Sequence, residues 1–109
     1  MKAPLPSGQT DPLPLAQALI RCNSVTPADG GSQAVLADAL TELGFTVHRL
    51  RYGEIENIFA RRGNSGRHFC FAGHTDVVPV GAVNWRDAPF DASVRDGVLY
   101  AEAAVGDGA

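Results

Sequence analysis

The chain has 109 residues, is 45% hydrophobic, 7% aromatic and 19% charged, and carries a formal net charge of −3. That length suits one domain with a modest core, burying roughly 65% of its unfolded surface; the composition excludes collagen-like, low-complexity and highly charged disordered chains. Nine basic residues against twelve acidic ones argue against nucleic-acid binding, and two cysteines are too few for a disulfide framework.

Residues 1–11 are polar and proline-rich and read as a disordered segment. Prolines break every apolar run there, so the segment does not read as an export signal. No stretch of the chain approaches the roughly 18 apolar residues a membrane span needs. These features point to the cytoplasm and to no membrane partner, and Cys22 and Cys70 read as buried thiols of a reduced compartment. Asp11 followed by Pro12 is a helix-start signal, a carboxylate for the orphan N–H groups and a ring that pre-sets φ. Leu15, Ala16, Leu19, Ile20 and Cys22 then form an apolar stripe at helical spacing. The helix should stop near Asn23, because Pro27 turns Thr26 away from helical geometry. A second helix is predicted from a Ser32 cap through Leu36, Leu40 and Leu43, with Gly44 as its C′ glycine.

Three strand-like runs follow, at residues 45–51, 57–62 and 67–72. The turn Gly63-Asn64-Ser65-Gly66 reads as a hairpin joining the last two. The run His68-Phe69-Cys70-Phe71-Ala72 does not alternate, so it reads as a strand covered on both faces. Two helices followed by strands, the last one buried, indicate an α/β sandwich.

The stretch Gly73-His74-Thr75-Asp76 follows that buried strand directly. Open α/β sheets bind ligands at the C-terminal ends of their strands. A neutral histidine there can coordinate a metal through one ring nitrogen, and Asp76 can accept the other ring N–H and fix the tautomer. Spacing alone leaves a second reading open, a histidine hydrogen-bonded for structure at a strand end. His48 and His68 read as structural. The cluster Arg49, Arg51, Arg61, Arg62 and Arg67 reads as a solvated face of edge strands, which discourages sheet-to-sheet pairing. No dinucleotide or phosphate-binding glycine motif is present, no G-x-S-x-G elbow, and no base beside Cys70.

The string F-A-G-H-T-D-V-V-P-V-G at residues 71–81, with Trp85, Pro89-Phe90 and D-G-x-L-Y at residues 96–100 after it, resembles the metal-site region of the M20 metallopeptidase family. Earlier stretches, S-V-T-P-A-D at residues 24–29, Gln33 and E-N-I-F-A-R at residues 56–61, keep the same order, and the likeness runs from about residue 13 to Tyr100. The resemblance implies an α/β/α sandwich with a mixed sheet, of which residues 12–109 form a partial catalytic, metal-binding domain. It implies two zinc ions at the C-terminal edge of the sheet, with cobalt also suited. His74 would ligate one metal, and Asp76 would orient His74. A bridging aspartate would join the metals and a glutamate would serve as general base, with the metal pair acidifying a shared water.

The implied activity is hydrolysis of an N-acylated amino acid, most closely removal of succinate from N-succinyl-LL-2,6-diaminopimelate in lysine and diaminopimelate synthesis. An acetylornithine-type hydrolase is the alternative inside the family, and a non-enzymatic binding module on the same fold the alternative outside it. After Tyr100 the chain departs from the family pattern. Without a gap the bridging position falls on Gly106; a one-residue slip places it on Asp107, the candidate second metal ligand. The general base, the remaining ligands and the inserted dimerisation domain of the homodimeric family lie beyond residue 109. The expectation is therefore a truncated or frame-disrupted piece that hydrolyses nothing alone.

Overall fold

The computed structural model describes residues 11–82 and 84–101. Its elements run α1 (Pro12–Arg21), α2 (Ser32–Glu42), β1 (Thr46–Tyr52), β2 (Ile55–Arg61), β3 (Ser93–Arg95) and β4 (Val98–Tyr100), the mixture of helix and strand that the α/β class requires. The disorder expected of residues 1–11 falls, Asp11 excepted, outside the described residues, as does Asp107.

Helix α1 begins as its sequence dictates. Asp11 Oδ1 accepts the Leu13 N–H at 3.0 Å, Pro12 occupies the first turn, and Leu19 and Ile20 are buried. Helix α2 differs from expectation by one residue at its start. Its cap is Gly31, at a left-handed φ of 90°, with no side-chain cap bond. Ser32 is instead the first helical residue and turns its hydroxyl inward to Thr75. Asp29 supplies the missing acceptor, taking the Gln33 N–H at 3.3 Å. The C-terminus closes as expected: Gly44, at φ 89°, donates to Thr41 O and Phe45 donates to Leu40 O, both at 3.0 Å. This double closure is a Schellman motif.

β1 and β2 pair antiparallel, with Tyr52 opposite Ile55. The turn is therefore Gly53-Glu54, with a positive φ of 63° at Gly53, the glycine-first geometry of a II′ hairpin. Residues 45–51 and 57–62, expected as separate strands, are thus the two arms of one hairpin, shifted by one or two residues. The expected hairpin through residues 63–66 does not form, and residues 67–72 are not a strand. Residues 61–74 are exposed throughout, with Phe69 and Phe71 at 84% and 91% exposure. Cys70, expected to be buried, is exposed with them, while Cys22 is half-buried. The physical reason is that a central strand exists only through neighbours on both edges, and the described residues form two separate two-stranded ribbons with none to flank this run.

The second ribbon, β3–β4, turns at Asp96-Gly97 with φ values of 51° and 76°, the paired left-handed residues of a I′ turn. Arg95 steadies it, bonded to Asp87 at 3.0 Å and lying 4.3 Å over the Tyr100 ring. The core is small: Ile20, Val77 and Ala92 are buried, with Val25, Phe90, Leu99 and Ala101 packed on them. Gln17 Nε2 donates to Ala92 O at 3.1 Å and Arg21 Nε to Asp91 O at 3.2 Å, fastening α1 beside β3. A parallel bridge between Val25 and Val77 brings the stretch after His74 into that core.

Candidate functional site

His74 and Asp76 lie in a loop that ends at the Val25–Val77 bridge, rather than at the end of a buried strand. Both side chains are more than half exposed, at 59% and 53%. His74 Nδ1 lies 3.0 Å from Asp76 Oδ1 and 3.1 Å from the Asp76 carbonyl oxygen. Both neighbours are acceptors, so Nδ1 must carry a proton to be satisfied. A neutral ring bound in this way leaves its lone pair on Nε2, which has no hydrogen-bond partner among the described residues.

The residue between them faces the other way. The Thr75 carbonyl accepts from Ser24 Oγ at 2.7 Å. Its hydroxyl oxygen lies 3.2 Å from Ser32 Oγ and accepts from Gln33 Nε2 at 2.8 Å. Ser24 and Ser32 are fully buried and Gln33 nearly so. Backbone bonds from Val77 N–H to Ser24 O and from Thr26 N–H to Val77 O continue the attachment at 3.1 and 3.2 Å. The loop that follows is closed by Trp85 Nε1 donating to Val80 O at 3.0 Å.

The remaining candidates stand apart. His48 lies on β1 with its ring stacked on Phe59, centroids 6.2 Å apart. His68 Nε2 lies 2.9 Å from Arg61 Nη2. A shallow depression on the first ribbon is lined by His48, Phe59 and Arg61 among others, and includes neither His74 nor Asp76. The five arginines are exposed, and Arg51 pairs with Glu56 across the ribbon at 3.1 Å. Cys22 donates to Ala18 O at 3.3 Å, and burial, helped by the Asp29 charge, pushes its thiol above the ordinary value, the opposite of an activated nucleophile.

Among the described residues no three His, Cys, Asp or Glu side chains converge as a metal-binding group. A catalytic zinc takes three protein ligands. The donor set here is one imidazole nitrogen whose carboxylate neighbour is engaged on the ring, so it fits one ligand position and not a whole metal centre. Sequence reading missed Ser24 and Ser32 as partners of Thr75. The available signal was polar residues at positions where a helix start and an extended stretch turn toward the core, and it gains meaning only once the chain folds back across 42 to 51 positions.

No known family model matches the chain. Curated relatives do, and several of them carry one name, that of a desuccinylase. Over 107 residues the chain is 53% identical to the succinyl-diaminopimelate desuccinylase of Caulobacter vibrioides, covering 96% of this chain and 28% of the relative. It is 55% identical over 97 residues to that of Acidiphilium cryptum, covering 89% and 26%, and 57% identical over 97 residues to that of Granulibacter bethesdensis, covering 87% and 25%. By sequence the chain is similar to these succinyl-diaminopimelate desuccinylases, and it spans little more than a quarter of their length. No helix among the described residues is long and apolar enough to cross a membrane.

Proposed function

We propose that this chain represents the part of a cytoplasmic, metal-dependent desuccinylase that supplies His74 as one metal ligand and Asp76 as the group that orients it. The reaction is hydrolysis of the amide in N-succinyl-LL-2,6-diaminopimelate, giving succinate and diaminopimelate. Relatives at 53% to 57% identity bearing that name support the substrate. The observation that carries the site is His74 Nδ1 lying 3.0 and 3.1 Å from two acceptor oxygens of Asp76, an arrangement that favours a proton on Nδ1 and leaves Nε2 free to act as a ligand. His74 would hold zinc or cobalt only together with further ligands, and a metal so held would supply Lewis acidity toward the amide carbonyl. Asp76 holds the ring's tautomer and orientation, and Thr75 keeps both residues on the outer side of the loop. One ligand does not make a catalytic centre, so the 109-residue chain alone hydrolyses nothing.

Grafting tests this directly. Residues 13–100 of the chain replace the matching stretch of the Caulobacter vibrioides enzyme, and turnover of N-succinyl-LL-2,6-diaminopimelate is measured with zinc present. The graft should be active, His74→Ala should abolish turnover, and Asp76→Asn should lower it by about 10- to 100-fold. A folded graft whose activity ignores His74→Ala contradicts the proposal, and so does turnover by the isolated 109-residue chain.

A further inference from the structure

Thr75 is the pivot of the candidate site. It alone of residues 74–76 is drawn inward, held at its carbonyl by Ser24 and at its hydroxyl by Ser32 and Gln33. Ser24 and Ser32 have no exposed surface and Gln33 retains 7%. Gln33 is also imperfectly satisfied, because its Oε1 is buried with no hydrogen-bond partner. A buried acceptor left unpaired is destabilising, and an apolar side chain of similar length would avoid that penalty. Stability therefore does not account for an amide at this position, whereas placing an N–H 2.8 Å from Thr75 Oγ1 does.

We propose that Ser24, Ser32 and Gln33 are positioning residues that act through Thr75 to fix which ring nitrogen of His74 carries the proton. With Thr75 locked inward, residues 74 and 76 emerge together on the outer side, which is what brings Nδ1 within 3.0 Å of Asp76 Oδ1. Released from the lock, the loop turns about Thr75, the two side chains separate, and water competes for both nitrogens. The role of these residues in metal binding rests on the reading of His74 as a ligand. Their effect on the tautomer does not.

The test is the tautomer of His74 in the metal-free 109-residue chain, read from ring carbon and nitrogen chemical shifts at a pH where the ring is neutral. The Nδ1–H form should dominate in the unaltered chain. Thr75→Val and Gln33→Leu should each lower the ratio of Nδ1–H to Nε2–H by about fivefold, the equivalent of one ordinary hydrogen bond. Thr75→Ser, which keeps the hydroxyl, should restore it. Gln33→Leu should melt no lower than the unaltered chain, because it removes the orphaned acceptor, whereas a merely structural Gln33 would lower the melting temperature and leave the tautomer alone. An unchanged ratio in folded Thr75→Val and Gln33→Leu overturns the proposal; should Gln33→Leu fail to fold, Thr75→Val with its serine rescue decides. Failure of the ligand reading shows separately, as zinc binding indifferent to His74→Ala while the tautomer shifts persist.

Discussion

Residues 67–73 and residues 74–77 are consecutive in the chain and opposite in their structural fates. The first stretch is the more apolar, with two phenylalanines, yet it is exposed along its whole length. The second begins with a histidine, a threonine and an aspartate, and it is tied to the core by buried serine and glutamine side chains and by the Val25–Val77 bridge. Hydrophobicity is thus a demand for partners and not a guarantee of them. A strand has to be met along at least one edge by another strand, whereas a polar loop can be held by a few side chains, and residues 24–33 provide them.

The contrast can be broken most severely at glycine. Gly30 has a φ of 59°, and a Cβ there would collide with the Asn23 backbone, while Gly66, at φ 79°, has open space around it. Gly30→Ala should therefore cost about 3 kcal/mol or more, from steric clash added to backbone strain, and loosen the segment carrying Ser32 and Gln33. Gly66→Ala should cost only about 1 kcal/mol, from strain alone. Urea melts of the two variants measure the difference, and equal losses would mean that the loop before α2 is not tightly packed.

A second comparison sets core against exposed run. Ile20→Ala removes a side chain that is 8% exposed and should cost about 2 to 3 kcal/mol. Phe71→Ala removes a larger side chain that is 91% exposed and should change stability by no more than about 0.5 kcal/mol. A large loss at Phe71 would place residues 67–72 inside a packed sheet after all.

The two thiols sharpen the comparison further. Cys22 is half-buried and Cys70 exposed, so alkylation near neutral pH should modify Cys70 about tenfold faster or more. Burial, with Asp29 second, raises the Cys22 thiol from its ordinary value of 9.0, so the folded chain holds that proton more tightly than the unfolded one. Its contribution to stability is therefore full below that ordinary value and is lost as pH rises through the raised one. Replacing Cys22 with alanine should flatten the alkaline side of the stability profile. The smallest effect is expected at the ribbon: Glu56→Gln breaks the pair with Arg51, whose side chain is 63% exposed, and should cost about 0.3 kcal/mol in a denaturant melt.

Both helices were legible because their signals are local. Asp11, Pro12 and Gly44 act within one turn, and an apolar stripe needs no distant partner to define its face. The one expected hairpin, through residues 63–66, does not form, and neither of the two that do was foreseen. Gly53-Glu54 lacks the usual asparagine or aspartate before glycine, and Asp96-Gly97, which has it, is flanked by strands of only three residues. The run at residues 67–72 was misread because its pattern states what a sheet would do with it and says nothing about whether the neighbouring strands are present. At the site, His74 and Asp76 were singled out by their spacing and by the resemblance around them, and the two side chains do meet. The partners of Thr75 were not singled out, since a buried serine or glutamine leaves no periodic trace.

The most direct test of the account is a zinc titration of the purified 109-residue chain, followed by calorimetry and by the ring signals of His74, with His74→Ala alongside. Weak one-to-one binding at Nε2, lost in His74→Ala and far from the affinity of a three-ligand site, is the result the account calls for. Tight binding would contradict it by showing a complete metal centre within this chain, and binding indifferent to His74→Ala would contradict it by removing His74 from the metal altogether.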